Sequence, residues 1–309
     1  MKVLHQIRGA VAAKISEAFP DVELIAIPLD GSPPAGVEGE VLLTYPWASS
    51  NLAHVLTRGV RWIHALGTGV DAFPLGLLTD QVLTCSRGGS AVPIAEWVLA
   101  TMLAFEKHLP ESWIHEPPRD GWSRARLGTL DGKTLGLVGL GGIGSAVARR
   151  ALPFGMHVQA FRRSTTPADI AGVQLRSSLV DLIASSDHLV AAAPATPATR
   201  HLFNREVFSR AKRGMHFVNI ARGALVDNDA LRAALDDGTV AMASLDAVDP
   251  EPLPGGHWMY THPRVRLSPH ISWSMPDAAN LLIEPFIENL RRYRAGEPLI
   301  GVVDRSLGY

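Results

Sequence analysis

A glycine-rich segment, GLGGIG at 139–144, has the residue types and spacing of a phosphate-binding turn. It follows the apolar run TLGLVGL, predicted as a strand, and opens the helical run IGSAVARRAL. In a G-x-G-x-x-G spacing, Gly139 permits a tight turn, Gly141 lets the backbone approach a pyrophosphate, and Gly144 lets the helix pack closely on the strand. The free N–H groups and the positive dipole at the helix N-terminus then favour phosphate. The residues predicted to bind a dinucleotide here are Gly139, Gly141, Gly142, Ile143 and Gly144. The alternative is a glycine turn without a ligand.

The residues after the next strand indicate which dinucleotide is bound. NAD-binding folds place an Asp or Glu roughly 20 residues after the glycine turn, where it bonds the ribose 2′-hydroxyl. Here the strand HVQAF runs into Arg162, Arg163 and Ser164, and no acidic residue lies between Gly144 and Arg162. Guanidinium groups and a hydroxyl match the charge and oxygens of a 2′-phosphate. We therefore expect NADP(H) to be preferred and NAD(H) to be possible, with Arg163 and Ser164 on the phosphate and Arg162 beside the adenine. The alternative is a pair of solvated surface arginines.

Alternating apolar strands and helices must position these residues. The strand runs HVQAF, HLVAAA, HFVNI, MASLDAV and RVRLSP follow the glycine turn, with helical runs between several of them. Buried strands separated by helices predict a doubly wound parallel sheet. Five earlier runs, from VLHQI to QVLTC, predict a smaller α/β unit. A helical apolar stripe from Ala91 connects the two, and a last helix, DAANLLIEPFIENLRRYRAG, leaves the larger sheet.

Composition excludes several classes of function. The chain has 29 Lys and Arg against 30 Asp and Glu, and it contains no basic run, so we expect neither a nucleic-acid nor a membrane partner. A single cysteine, Cys85, fits a reducing compartment. The N-terminus does not resemble a signal peptide, and no apolar stretch reaches the ~20 residues that span a bilayer. HExxH, CxxC and G-x-S-x-G motifs are absent. These features predict a cytoplasmic protein with no metal site.

Ordered segments along most of the chain resemble the D-isomer-specific 2-hydroxyacid dehydrogenase family, which includes glyoxylate and hydroxypyruvate reductases. The matching segments are LGTGVDAF, PIAEWVLATML, LDGKTLGLVGLGGIGSAVA, FGMHV, PATPATRHLFN, NIARGALVD, SLDAVDPEPLP and SPHIS. The resemblance implies an α/β protein with two domains. We expect a doubly wound parallel-sheet (Rossmann) nucleotide domain at 97–274. A smaller, discontinuous, flavodoxin-like substrate domain comprises 1–96 and 275–309, with the active site in the cleft between the domains.

The resemblance also implies a catalytic Arg, Glu and His in that chain order: Arg222 in NIARG, Glu251 in AVDPEPLP and His270 in SPHIS. All three fall beyond predicted strands, where open α/β sheets bind ligands. A guanidinium suits bidentate pairing with a carboxylate, an imidazolium can protonate a carbonyl oxygen, and a carboxylate beside that ring favours its charged form. We therefore expect hydride transfer from NAD(P)H to a small 2-oxo acid, such as glyoxylate or hydroxypyruvate, giving a 2-hydroxy acid.

Further contacts follow from the same resemblance. The implied cofactor contacts are Pro194, Thr199, Ala221 and Asp246, the last toward the nicotinamide carboxamide. The implied substrate contacts are Thr68, Gly69 and Arg222, and we expect Trp47, Ser274 and Trp273 to shape the substrate pocket. The segment containing Trp113 and Trp122 corresponds to a dimer contact in the family, so we expect a homodimer.

Two alternatives remain open at this point. The same fold occurs in a transcriptional corepressor that binds dinucleotide and recruits peptides, although this sequence lacks a long disordered tail or a charged arm. Formate-type or phosphite-type oxidation within the superfamily is the other. The sequence does not identify the physiological 2-oxo acid, because the pocket shape near Trp47, Thr68 and Trp273 decides it.

Overall fold

The computed structural model describes residues 1–9, 11–117, 119, 122–123, 125–163 and 168–309. The chain forms two compact units, a first unit of Met1–Ser90 with Met275–Tyr309 and a second unit of Ala91–Ser274. Within the described ranges, no helix has both the length and the apolar character needed to cross a membrane.

The first unit contains a five-stranded parallel sheet. Its strands are β1 (Lys2–His5), β2 (Glu23–Ala26), β3 (Val41–Thr44), β4 (Trp62–Ala65) and β5 (Val82–Cys85). Its helices are α1 (Val11–Ala18), α2 (Leu52–Leu56) and α8 (Ala278–Ala295), with a 3-10 turn at Leu75–Leu77. The strand order β2-β1-β3-β4-β5 is that of flavodoxin-like folds, which confirms the predicted architecture of this unit.

Both faces of this sheet are buried, as its apolar strands require. Val3 and Val41 pack in the cluster that contains residues of α1 and α8, whereas Leu4 and Leu42, one residue further along each strand, pack in a second cluster with α2. The terminal helix α8 is anchored here by Phe286, whose ring stacks on the fully buried Trp62 at 5.3 Å between centroids. The last helix thus packs within the first unit.

The second unit contains a seven-stranded parallel sheet. Its strands are β6 (Thr134–Val138), β7 (His157–Phe161), β8 (Val173–Arg176), β9 (His188–Ala191), β10 (Met215–Asn219), β11 (Val240–Leu245) and β12 (Val265–Leu267). Its helices are α3 (Ala91–Lys107), α4 (Gly142–Ala151), α5 (Leu179–Ser185), α6 (Arg205–Ser209) and α7 (Asn228–Asp236). Single 3-10 turns occupy Leu152–Phe154, Pro197–Thr199, Gly223–Leu225 and Trp258–Tyr260.

The strand order of this unit, β12-β11-β10-β9-β6-β7-β8, is the doubly wound order with one added edge strand. The predicted Rossmann sheet is thereby confirmed. Strand β8 and helix α5 were not predicted from the sequence. In β8, half-buried and exposed residues alternate along VQLR, because this strand lies at the sheet edge and lacks the continuous apolar run of the inner strands.

The division between the units falls at Ser90/Ala91, whereas the sequence analysis placed it at 96/97. The difference arises because α3 packs on the second unit from its first turn. Ala91, Ile94 and Ala95 already belong to the core that includes the inner strands β6 and β9.

Three neighbouring strands of the second unit end in one row. In the register of the sheet, Asn219 of β10 lies opposite Leu245 of β11, and Leu245 lies opposite Leu267 of β12. The residues that follow these three strands therefore start from the same carboxyl edge. Arg222, Asp246 and His270 all lie within three residues of a strand end at this edge.

A buried polar network lies toward the amino ends of the same sheet. Glu106, only 3% exposed, accepts hydrogen bonds from Lys133 Nζ at 2.6 Å and His188 Nε2 at 3.0 Å. His188 Nδ1 lies 3.1 Å from His216 Nδ1, and His216 Nε2 lies 2.9 Å from Ser244 Oγ. Burial lowers the pKa of His216 well below its usual value. Helical spacing places Glu106 on the apolar stripe of α3, four residues after Met102, but it does not identify its partners. The network joins the helix to three strands.

We predict that Glu106→Ala destabilises the second unit by about 3–5 kcal/mol, since it leaves a buried histidine and a lysine without their shared acceptor. The matched control is Glu96→Ala, which removes an exposed glutamate from the same helix and should change the free energy of unfolding by no more than about 0.5 kcal/mol. Guanidinium unfolding followed by circular dichroism measures both values. Equal effects of the two variants would contradict a stabilising role for Glu106.

Candidate active site

The glycine turn has the geometry that each of its glycines requires. Gly139 has φ 106°, and a Cβ there would lie 2.6 Å from the carbonyl oxygen of Ala192. A Cβ on Gly144 would lie 2.2 Å from the carbonyl oxygen of Gly139, so α4 can start this close to the turn only with glycine at that position. At Gly141, by contrast, an added Cβ would meet nothing within 4 Å. The turn thus combines close backbone packing with open space before a helix N-terminus, which fits a pyrophosphate.

The two arginines follow the strand that pairs with this turn. The carbonyl oxygen of Phe161, the last residue of β7, accepts a hydrogen bond of 2.8 Å from the N–H of Gly139. Arg162 comes next and is half-buried, and Arg163 is exposed. These side chains begin where an Asp or Glu would bind a ribose 2′-hydroxyl in an NAD site. Ser164, the third predicted contact, lies outside the described residues.

The remaining predicted cofactor residues also follow strands of this sheet. Pro194 and Thr199 lie after β9 in a folded loop, where Thr199 Oγ1 donates to the carbonyl of Pro194 at 2.7 Å and accepts from the N–H of Thr196 at 2.8 Å. Ala221 is buried two residues after β10. Because β6, β9 and β10 are parallel, the residues that follow β9 and β10 lie at the same edge of the sheet as the glycine turn after β6.

His270 and Glu251 form a hydrogen-bonded ion pair. His270 Nδ1 donates to Glu251 Oε2 at 2.8 Å, and Glu251 Oε1 accepts the N–H of Val248 at 3.0 Å. The hydrogen bond to Glu251 raises the pKa of His270 and outweighs the lowering by burial. Burial alone would raise the pKa of Glu251, but the hydrogen bonds from His270 and Val248 hold it below its usual value. The imidazolium form of His270 is therefore favoured, with Nε2 left as a proton donor.

Arg222 acts electrostatically on this pair. Its positive charge lowers the pKa of His270 and also that of Glu251, so the three charged groups lie within range of one another. Arg222 is half-buried, and its Nη1 donates to the carbonyl of Ala221 at 2.8 Å. The structure thus brings together the three residues that the sequence analysis predicted to be catalytic.

Asn219, which the sequence analysis did not single out, fixes the start of the arginine loop. Its side chain is fully buried and donates to the carbonyl oxygens of Arg222 and Ala247, each at 3.0 Å, while Oδ1 accepts the N–H of Ala221 at 3.1 Å. Gly223 is also required, because a Cβ there would lie 1.9 Å from the carbonyl carbon of Val248. In the sequence, this loop is marked by Asn219 at the end of β10 and by Gly223 four residues later.

Asp246 lies at the end of β11 with its carboxylate turned toward the loop that contains His270. It is 2% exposed, and it accepts hydrogen bonds from Ser268 Oγ, the N–H of Ile271 at 2.8 Å and the N–H of Ser272 at 2.9 Å. A carboxylate offers about four acceptor sites, so at most about one is left for the predicted bond to a nicotinamide carboxamide.

The other predicted substrate residues are distributed over both units. In the first unit, Thr68 Oγ1 donates to the carbonyl of Ser86 at 3.4 Å, and the neighbouring Gly69 is half-buried. Trp47 is 60% exposed and stacks on Tyr45 at 4.8 Å between ring centroids. In the second unit, Ser274 is exposed, and so are Trp273, Trp113 and Trp122. No group of three or more potential metal ligands occurs in the part of the chain that the structure describes.

A doubly wound sheet with a glycine turn after its first strand is the architecture of nicotinamide-dinucleotide-binding domains. The family model described as "D-isomer specific 2-hydroxyacid dehydrogenase, NAD binding domain" matches residues 99–272. The chain belongs to this family of oxidoreductases, as the sequence resemblance indicated.

Known relatives agree with this assignment. The chain is 31% identical over 266 residues to glyoxylate/hydroxypyruvate reductase A of Serratia proteamaculans. This alignment covers 81% of the chain and 82% of the relative. It is 33% identical over 244 residues to D-3-phosphoglycerate dehydrogenase of Bacillus subtilis, which covers 77% of this chain but only 46% of that relative's length. Among solved structures, a D-isomer specific 2-hydroxyacid dehydrogenase from Xanthobacter autotrophicus in complex with NADPH and MES has a TM-score of 0.83 and 28% identity, with 100% of this chain and 99% of that chain covered.

We predict that Glu251→Gln lowers the pKa of His270, because a neutral amide no longer favours the imidazolium. The fraction of charged His270 at neutral pH should then fall. An NMR titration of the His270 ring in the free protein measures the shift, with the exposed Glu96→Gln as control. An unchanged titration of His270 in the Glu251 variant would show that the pair does not set its protonation state.

Proposed function

We propose that this protein reduces small 2-oxo acids to 2-hydroxy acids with a nicotinamide dinucleotide. The observation that carries the proposal is the His270–Glu251 pair at 2.8 Å, within the field of Arg222, at the sheet edge that also bears the glycine turn. A proton donor, a partner that keeps it charged and a guanidinium are the groups that reduction of an anionic carbonyl compound needs.

Each of the three side chains has a distinct role in the proposed reaction. Arg222 binds the substrate carboxylate through its planar fork and polarises the neighbouring carbonyl. His270 donates the proton on Nε2 to the carbonyl oxygen, which becomes the hydroxyl oxygen of the product. Glu251 stabilises the imidazolium before the transfer and holds its ring through Nδ1. A nicotinamide dinucleotide, when bound, supplies the hydride to the carbonyl carbon.

The substrate class that we propose is a small 2-oxo acid such as glyoxylate or hydroxypyruvate. It is supported by the name of the Serratia relative and by the alignment that covers 82% of that relative. Thr68, Gly69, Trp47 and Ser274 stay predictions for substrate contacts. A substrate-dependent oxidation of the dinucleotide distinguishes an enzyme from a dinucleotide-binding corepressor.

We further propose that NADP(H) is preferred over NAD(H). Two features support this proposal: Arg162 and Arg163 directly follow β7 beside the glycine turn, and Asp169, the first acid after them, is exposed and separated from the strand end. The similar Xanthobacter structure was solved with NADPH.

We also propose a homodimer, supported by the large exposed surfaces of Trp113 and Trp122, which are 68% and 75% exposed.

The first prediction of this proposal concerns the carboxylate clamp. Arg222→Ala should depress turnover of every 2-oxo acid while the affinity for dinucleotide stays nearly unchanged, and Arg222→Lys should restore only part of the rate because an ammonium cannot form the planar fork. Steady-state assays with glyoxylate, hydroxypyruvate, pyruvate and bulkier 2-oxo acids measure this, together with fluorescence titration of the dinucleotide. A kcat/KM near that of the unmodified protein in the alanine variant would contradict the assignment.

The second prediction concerns the cofactor. The unmodified protein should have a higher kcat/KM for NADPH than for NADH, and the double variant Arg162→Asp, Arg163→Ala should weaken NADPH use and relatively favour NADH, since an acid repels a 2′-phosphate and can bond a 2′-hydroxyl. Arg149→Ala, on α4 and exposed, serves as a control for loss of positive charge. Equal or better efficiency with NADH in the unmodified protein would exclude the preference.

A further inference from the structure

The backbone of His270 has an unusual conformation. Its φ is 55°, in the left-handed region that residues with a side chain rarely adopt. Such a conformation persists where surrounding contacts determine it, and it often accompanies function. The contacts that determine it involve the loop from Ser268 to Ser272.

Asp246 makes hydrogen bonds on both sides of His270. One carboxylate oxygen, Oδ1, accepts from Ser268 Oγ, two residues before the histidine, and from the N–H of Ile271, the residue after it. The other oxygen, Oδ2, accepts from the N–H of Ser272. The N–H of His270 itself donates to the carbonyl of Ser268 at 3.0 Å, which closes the turn.

We propose that Asp246 is a positioning residue that fixes the His270 turn, and thereby the direction of its ring toward Glu251. The proposal rests on the function proposed above in so far as His270 is the proton donor. The carboxylate is buried at the end of β11 and bonded to three groups of one short loop, so its removal frees the loop that contains His270.

Charge acts in the same direction as geometry. The negative charge of Asp246 raises the pKa of His270, adding to the larger effect of Glu251, whereas Arg222 lowers it. The charge effect and the positioning effect can be separated by substitution, because Ser268→Ala removes one of the three bonds and leaves the charge of Asp246 in place.

The principal variant is Asp246→Asn. Each carboxylate oxygen accepts one backbone N–H, so neither orientation of an asparagine amide can satisfy both Ile271 and Ser272. We expect kcat for 2-oxo acid reduction to fall on the order of 10²-fold, since a small misplacement of a catalytic group has effects of that size. The dissociation constant of NADPH should change less than about threefold, well under the tenfold that corresponds to one lost hydrogen bond of about 1.4 kcal/mol.

The decisive readout is the imidazole Nδ1–H resonance of His270 in the free protein, which the hydrogen bond to Glu251 moves to low field. This resonance should be lost or broadened in Asp246→Asn, weakened in Ser268→Ala with the charge unchanged, and retained in the exposed control Asp229→Asn. The alkaline limb of the pH–rate profile should move to lower pH in Asp246→Asn. Should Asp246→Asn fail to fold, Ser268→Ala decides through the same resonance and through a fall of kcat with KM unchanged.

The outcomes separate this proposal from the proposed function. Suppose that the His270 resonance is unchanged in both Asp246→Asn and Ser268→Ala, and that Asp246→Asn binds NADPH more weakly. That result would overturn the positioning role and favour the nicotinamide contact. A failure of the unmodified protein to reduce any 2-oxo acid would refute the proposed function, while the resonance measurement would still decide whether Asp246 fixes His270.

Discussion

The shared register of β10, β11 and β12 is the constraint on which the candidate site depends. Because Asn219, Leu245 and Leu267 lie in one row, the chain leaves three adjacent strands at the same level. Two buried polar side chains at these ends then connect loops that are distant in sequence: Asn219 bonds to the carbonyl of Ala247, after β11, and Asp246 bonds to the loop after β12. A shift of one residue in either pairing would turn these side chains to the opposite face of the sheet.

The electrostatics of the site balance two opposite effects on one ring. Glu251 favours the imidazolium of His270 and Arg222 disfavours it, with the hydrogen bond to Glu251 the larger effect. An anionic substrate paired with Arg222 would offset the positive charge of the guanidinium and so raise the pKa of His270 further. If Arg222 binds the substrate carboxylate as proposed, it would couple substrate binding to the protonation of His270 that the proposed reduction requires.

The features predictable from the sequence were those with local causes. The glycine turn could be predicted because its backbone packing leaves no room for a Cβ at Gly139 or Gly144. The inner strands could be predicted because burial on both faces requires continuous apolar runs. What escaped prediction depends on tertiary pairing. The edge strand β8 has no apolar run. Glu106 lies on the buried face of α3, four residues after Met102, but helical spacing does not identify its partners on distant segments. The partners of Asp246 lie more than twenty residues further along the chain. For Asp246, the family resemblance led to a ligand contact, whereas its hydrogen bonds show where most of its acceptor capacity is used.

Two histidine-containing clusters of the second unit, around His188 and around His270, show why residue type alone does not identify a proton donor. Glu106 can only accept, so one assignment satisfies every member with neutral rings: Ser244 Oγ–H donates to His216, His216 Nδ1–H to His188, and His188 Nε2–H to Glu106. Burial lowers the pKa of His216 far below neutral pH, and both rings are fully enclosed, so this chain of bonds joins strands to α3 and cannot deliver a proton to a ligand. His270 has a similar carboxylate partner, but its side chain is 38% exposed and its pKa is raised. Exposure at the carboxyl edge of the sheet, combined with a pairing that favours the charged form, distinguishes a histidine that can act on a substrate from one that stabilises the fold.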